Sequence, residues 1–116
     1  MINKLRAANW KDKIRLYLAF PSRLWALKVA GHSMSPTIND GEVVLYGPTV
    51  NVEVGDIVFT PHPFMQSVKI VKRVAKINAD GMLLLIGDNP AESTDSRTLG
   101  SFPIKSIQGR VVCRLK

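Results

Sequence analysis

Lys72 is the first residue whose type does not match its neighbours. It lies in the middle of VKIVKRV, residues 68–74, whose β-branched side chains predict a strand. Side chains of a strand alternate between two faces, so the face of Lys72 also carries Val68, Ile70 and Val74, and the opposite face carries Lys69, Val71 and Arg73. Burying a charged amine costs several kcal/mol unless it is paired or neutralised. Lys72 is therefore either a side chain that extends to water at a sheet edge or a neutral, desolvated amine that could act as a general base.

A turn that contains two serines is the second candidate for chemistry. Residues 31–37, GHSMSPT, follow a predicted strand, and within them Gly31 permits unusual backbone angles while Pro36 prevents a regular helix. Such a turn can present a hydroxyl at the rim of a sheet, with nearby backbone N–H groups free to bind an oxyanion. A serine next to a neutral lysine is a nucleophile–base pair that needs no histidine. On composition alone, an ordinary serine-rich turn is the simpler interpretation.

Residues 87–97, GDNPAESTDSR, form the third candidate. Their side chains commonly hydrogen-bond to their own backbone, which predicts an ordered loop. Asp95 and Arg97 could form a charge-assisted pair that fixes this loop, and Ser93 is a hydroxyl partner for a nearby amine. Taken alone, the segment is a structural loop.

Metal and histidine chemistry are poorly supported by the sequence. His32, His62 and the single Cys113 have no zinc-type spacing, and neither histidine is placed for a Ser-His-Asp triad. We therefore expect no metal and no cofactor. A single cysteine also excludes an intrachain disulfide.

Composition and charge restrict the possible partners. The 116 residues, 46% of them hydrophobic, are enough for one compact domain with a modest core. The net charge of +7 would attract nucleic acid, an anionic membrane or an acidic partner. The basic residues are scattered and lack interleaved aromatic side chains, so we expect no nucleic-acid binding. Apolar runs are far shorter than the ~20 residues of a transmembrane helix, and the N-terminus lacks a signal-peptide pattern. These features predict a cytoplasmic protein.

The elements that must position these residues are mostly strands. Apolar side chains at helical spacing predict an amphipathic helix at 8–20, ended by Pro21, which either packs on the domain or lies on a membrane surface. Strands are predicted at 25–30, 42–46, 56–60, 68–77, 82–86 and 107–115, separated by Gly, Pro and Asn turns. The fold class predicted is mostly β: an antiparallel, partly closed domain at 22–116, preceded by an N-terminal amphipathic segment at 1–21.

Taken together and in this order, the three segments resemble the type I signal peptidase family of Ser/Lys proteases. Residues 33–37, SMSPT, resemble its nucleophile box, and residues 55–58, GDIV, its second box. Residues 72–74, KRV, resemble its general-base box, and residues 87–89 and 93–97 with Gly100 resemble its last box. The similarity covers roughly residues 29–112. Each motif is short, and it is their common order that makes the resemblance specific.

The resemblance implies a role for each matching residue. It implies Ser33 as nucleophile, Lys72 as general base and the backbone N–H of Ser33 as part of an oxyanion hole. It further implies that Ser93 orients the lysine amine, while Asp95, Arg97 and Asp88 support the site. Many bacterial members carry a serine two positions before the nucleophile, whereas this chain has Gly31, as in the organellar inner-membrane branch.

The resemblance is greatest to the small nickel-type superoxide dismutase maturation proteases, because the chain is short and residues 87–97 match their last box. This implies a serine endopeptidase that removes an N-terminal leader from a partner protein, bound as an extended strand, with a nickel superoxide dismutase precursor as the expected substrate. One alternative is signal-peptidase processing of preproteins at a membrane surface, with residues 8–20 making peripheral contact. A non-enzymatic alternative is an inactive binding module of the same fold. A self-cleaving repressor would need a DNA-binding domain and a linker upstream, which the 32 residues before Ser33 do not provide.

Overall fold

The computed structural model describes residues 24–48, 51–65 and 67–115 of the chain. Within these residues, seven strands form one sheet: β1 (Trp25–Lys28), β2 (Val43–Gly47), β3 (Ile57–Pro61), β4 (Lys69–Ile77), β5 (Met82–Ile86), β6 (Phe102–Pro103) and β7 (Gly109–Arg114). The order across the sheet is β1-β2-β7-β3-β4-β5-β6, and every neighbouring pair is antiparallel. The mostly β, antiparallel prediction is therefore confirmed.

All six predicted strands are present, each with bounds within a few residues of the prediction. The structure adds three short helical elements and one strand that the sequence did not predict. The helical elements are α1 (Ser96–Leu99) and two 3₁₀ turns, Pro90–Glu92 and Ile104–Ser106. The extra strand is β6, whose two residues pair with β5. The predicted helix at 8–20 and the N-terminal segment 1–21 lie outside the described residues.

Apolar side chains cover both faces of the sheet in its middle. One cluster contains Val29, Met34, Ile38, Val44, Ile57, Phe59, Val71 and Val111. A second cluster contains Val58, Val74, Leu83, Leu85, Phe102 and Ile107, with Ile70 packed against it. Strands β3 and β4 contribute alternate residues to the two clusters, as the period of two requires. The central strands are thereby packed on both faces.

The predicted faces of β4 are partly confirmed. Ile70 and Val74 both pack in the second cluster, as the alternation predicts. Val68 does not help to bury Lys72: it is 42% exposed, because it precedes β4 at the end of the β3–β4 hairpin. Its place is taken by Val58 of β3, a fully buried residue that lies directly across from Lys72.

The sheet also has unpaired edges. β1 lies at one end of the strand order. On the side of β4 that faces β5, pairing begins only at Arg73, so residues 69–72 pair with β3 alone within the described chain. Residues 27–33 and 68–72 line the two walls of one cleft of about 470 Å³. Among the described residues, no helix is long and apolar enough to cross a lipid bilayer.

Candidate active site

Lys72 projects from a central strand into a nearly dry environment. Its side chain is buried, with 3% of the residue exposed. The Nζ atom donates a hydrogen bond of 3.2 Å to Ser93 Oγ. Burial lowers the pKa of Lys72 below its ordinary value of 10.5, and the charge of Arg97 lowers it further, whereas the charge of Asp95 raises it. Burial thus favours the neutral form of this amine, whereas an exposed lysine stays charged.

Ser93 accepts from the amine because its own hydrogen is used elsewhere. Its Oγ donates a bond of 2.5 Å to Asp95 Oδ2, so the oxygen lone pairs are left for Lys72. In this arrangement one N–H of a neutral amine is fixed on Ser93. The nitrogen lone pair then remains for another proton donor in the cleft.

Asp95 anchors the loop from a fully buried position. Arg97 donates to its carboxylate through Nε and Nη2, at 3.0 and 2.6 Å, and the backbone N–H of Gly87 donates at 2.8 Å. Burial by itself raises the pKa of Asp95, but the hydrogen bonds from Arg97, Ser93 and Gly87 outweigh it and hold the pKa well below its ordinary value. Asp95 also caps α1, since its side chain accepts from the Arg97 N–H. The predicted Asp95–Arg97 pair is confirmed.

Ser33 lines the same cleft as Lys72. Its position is fixed by the turn on which it lies: the next residue, Met34, is buried in the core. Asn89 fixes the turn from the other side, since its backbone N–H donates to Ser33 O at 2.8 Å and its Nδ2 donates to His32 O at 3.0 Å. Within the described part of the chain, the Ser33 N–H has no acceptor, so it is available to a ligand. The Gly31 N–H is already used, on Asp40 Oδ1.

Gly87 explains how the turn and the loop come so close. A Cβ atom at this position would lie 2.6 Å from Ser33 O and would overlap Ser93 Oγ. Real Cβ atoms do not approach backbone oxygens this closely, so only glycine fits. Gly87 therefore sets the separation between Ser33 and the residues that hold Lys72. The sequence placed Gly87 in the last box but gave no sign of this contact.

Asp88 belongs to a second, partly buried network next to the first. Arg73 donates to it through Nε and Nη2, at 2.9 and 2.7 Å, and Thr37 Oγ1 donates at 2.6 Å. Arg73 also donates to Gly55 O at 2.7 Å. All four of the segments with family resemblance are therefore joined by direct bonds. Sequence reasoning assigned Asp88 a supporting place but missed Thr37 and Arg73, which differ in chain position by 51 and 15 residues from Asp88.

Other reactive side chains take no part in this cluster. Within the described residues, no three His, Cys, Asp or Glu side chains are grouped so that they could bind a metal. His62 lines the cleft, and its Nδ1 accepts from the backbone N–H groups of Phe64 and Met65. Cys113 is buried in β7, and burial raises the pKa of its thiol, which makes it a weak nucleophile.

Comparisons with known proteins identify relatives that are named as proteases. The sequence is 32% identical to mitochondrial inner membrane protease subunit 1 of Xenopus tropicalis, and the match covers 74% of this chain and 65% of that protein. The proteins of the same name from Homo sapiens and Schizosaccharomyces pombe are each 30% identical to this chain. These matches also cover 74% of this chain, and they cover 66% of the human protein and 69% of the yeast protein. The chain thus spans about two thirds of the length of these relatives, and slightly less for the first two.

These relatives are inner membrane protease subunits and not nickel-dismutase maturation proteases. They support the resemblance to peptidases but not the resemblance to nickel-dismutase maturation proteases. The sequence profile of the Peptidase S24-like family matches residues 6–112, nearly the whole chain. The chain therefore belongs to the Peptidase S24-like family.

Proposed function

We propose that this chain is a serine endopeptidase with a Ser33–Lys72 dyad, which removes an N-terminal leader from a partner protein. One observation carries the proposal: a nearly fully buried lysine, hydrogen-bonded to a serine whose proton is committed to a carboxylate, lines the same cleft as a second serine. A structural lysine would have its charge compensated by a direct carboxylate bond. Lys72 instead bonds to a neutral hydroxyl, which suits a neutral amine.

In the proposed mechanism, neutral Lys72 accepts the proton of Ser33 Oγ as that oxygen attacks the scissile carbonyl carbon. The Ser33 N–H donates to the resulting oxyanion. As the C–N bond breaks, the Lys72 ammonium returns the proton to the leaving amine, which leaves an acyl-enzyme. Lys72 then removes a proton from water, the hydroxide attacks the ester carbon, and Ser33 leaves with the proton that Lys72 returns.

The open edges of β1 and β4 provide a place for an extended substrate. β1 leads to Ser33 and the first residues of β4 lead to Lys72, and both strands run in the same direction, because four antiparallel steps through β2, β7 and β3 separate them. A peptide between residues 27–30 and 68–72 could hydrogen-bond to both edges. Leu27, Val29 and Ile70 line this cleft, which favours small or apolar side chains on the inward face of the peptide.

A direct assay tests the dyad. Purified protein is incubated with a library of ten-residue peptides, and the products are identified by mass spectrometry. We expect cleavage that falls at least about 1,000-fold in Ser33→Ala and in Lys72→Met, because the residues of a nucleophile–base pair act as one unit. Ser101→Ala, an exposed serine outside the cleft, is the matched control. Equal cleavage by the parent and both dyad variants would contradict the proposal, and no cleavage by any of them would favour the inactive binding module.

The proposed substrate is a nickel superoxide dismutase precursor, as the resemblance of residues 87–97 implies. The test is incubation with that precursor and sequencing of the new N-terminus. A single cut at the leader boundary is the expected result. Cleavage of unrelated leaders at similar rates would contradict this choice of substrate while leaving the peptidase assignment intact.

The names of the relatives favour a second candidate, processing of preproteins at a membrane surface. The net charge of +7 is compatible with contact to anionic lipid. Co-sedimentation of the full chain with anionic and with uncharged liposomes at low salt distinguishes the two. Recovery in the anionic pellet supports the membrane candidate, and complete recovery in both supernatants contradicts it.

A further inference from the structure

The cleft that holds the dyad also carries charges at its far end. Lys28 of β1 and Lys69 of β4 line opposite walls, and both are exposed. Within the described part of the chain, neither ammonium makes a hydrogen bond or an ion pair. Glu92 supplies the one carboxylate among the described lining residues, and it adjoins Ser93 at the dyad end. The cleft is therefore cationic at the end away from the dyad.

Strand geometry gives the distance and direction of these cations. Lys69 precedes Lys72 by three residues, which at ~3.3 Å per residue puts their Cα atoms about 10 Å apart. An odd separation also puts Lys69 on the opposite face of β4 from Lys72. Lys69 therefore shares the face of Val71, which packs in the first cluster, whereas Lys28 lies on the face opposite that cluster, because its neighbours Leu27 and Val29 pack there. The two ammonium groups thus face alternate side chains of an extended peptide in the cleft, one on each face.

We infer that Lys28 and Lys69 determine specificity by selecting an acidic side chain three or four residues from the scissile bond, on the side of the bond that lies between β1 and β4. The inference rests on the proposed function and specifies its substrate class. Peptide residues have the same spacing as those of β4, so the third or fourth residue from the bond lies level with Lys69. A carboxylate at one of these two adjacent positions would pair with the ammonium that lies on the same face. Near the dyad, Glu92 would repel it.

The experiment compares peptides that differ only in having Asp or Asn at one position. The peptide cleaved best in the library assay is synthesised with Asp or with Asn at each position from four before to four after the bond. We expect kcat/KM to favour Asp over Asn about three- to tenfold at the third or fourth position on one side only, the range of one or two exposed ion pairs. The preference should shrink as salt is raised from 50 to about 500 mM, because exposed pairs are screened.

Variants assign the preference to the two lysines. The Asp/Asn ratio should fall toward one in the double variant Lys28→Gln/Lys69→Gln, and it should invert in Lys28→Glu/Lys69→Glu. Lys76→Gln is the matched control, since Lys76 is an exposed lysine of the same strand that does not line the cleft. An equal rate for Asp and Asn in the parent, or a ratio unchanged in the double variant, overturns the inference.

A binding measurement separates this inference from the proposed function. Fluorescein-labelled Asp and Asn peptides are titrated with the Ser33→Ala variant, and Kd is measured by fluorescence anisotropy; if no library peptide is cleaved, ten-residue alanine peptides with Asp or Asn at one position are used. Tighter binding of the Asp peptide, abolished by the two lysine substitutions, supports the inference even if the parent cleaves nothing. Equal Kd values contradict it even if the parent is an active peptidase.

Discussion

At the scale of single residues, Lys72 shows how much a sequence pattern can reveal. Strand alternation alone identified one lysine on an apolar face, and the structure buries that residue among the side chains the pattern named, with Val58 in place of Val68. The acceptor Ser93 lies 21 residues away in a loop, and no local rule connects the two. Family resemblance named the partner, and only tertiary structure gives the bond and its direction.

The lowered pKa of Lys72 predicts the pH dependence of peptide cleavage. Burial favours the neutral amine, and the neutral amine is the active form in the proposed mechanism, so kcat/KM should rise with pH through an apparent pKa below 10.5. The measurement is a profile from pH 5 to pH 11 with the best library peptide. A rate that stays flat up to pH 10 would contradict a desolvated base.

Ser93→Ala should lower kcat about 10- to 100-fold with a smaller change in KM. The variant removes the acceptor that orients the amine, and a displaced catalytic group loses rate and not substrate affinity. Steady-state kinetics with the same peptide provide the measurement. Ser101→Ala, which removes an exposed hydroxyl, should keep the parent values. An unchanged kcat in Ser93→Ala would show that the amine is oriented by other groups.

At the scale of elements, the loop between β5 and α1 does most of the positioning. Its turn residues predicted an ordered loop, and its Asp95–Arg97 pair followed from their types and spacing. Its contact with the Ser33 turn could not be predicted, because the two segments are more than fifty residues apart in the chain. The two-residue strand β6 was missed for a different reason: a strand this short has no readable alternation.

Gly87→Ala should lower the kcat of peptide cleavage about 100-fold or more, because the added Cβ would displace either Ser33 or Ser93. Gly81→Ala is the control for general destabilisation. It strains a turn with φ of 82° but meets no atom within 4 Å. We expect the folded fraction of Gly81→Ala to keep the parent kcat. Full activity in Gly87→Ala would mean that the loop can move away without cost to the site.

At the scale of the whole molecule, the site and the fold share their polar bonds. Arg73, Asp88 and Thr37 connect β4 to the loop and to the serine turn, and Asp95 ties the loop to α1. The fold class and six strands followed from hydrophobic alternation and turn residues. The Asp95–Arg97 pair was also predicted, but the bonds of Asp88 with Arg73 and Thr37 were not, because a polar side chain does not indicate its partner and that partner depends on the order of the strands in the sheet.

Asp95 predicts a loss of stability in acid. The pKa of Asp95 in the folded state is below its unfolded value of about 4. Its contribution to the free energy of unfolding is therefore complete above about pH 4 and is lost as the pH falls further. Asp95→Asn cannot titrate, and it should be less stable than the parent by about 1–3 kcal/mol at pH 7. The difference between the two should narrow by pH 3. Urea unfolding at both pH values measures it, and a gap that is as large at pH 3 as at pH 7 would contradict this account.

The gap between the free edges of β1 and β4 has a consequence for what can be digested. Only a segment that exposes both rows of its main-chain amides can occupy the space of a missing strand, and a segment already in a helix or sheet has none to offer. A compact product would thus resist attack once its unstructured extension had been removed. Selectivity for immature proteins would then arise from main-chain hydrogen bonding to the sheet and would not require recognition of particular side chains.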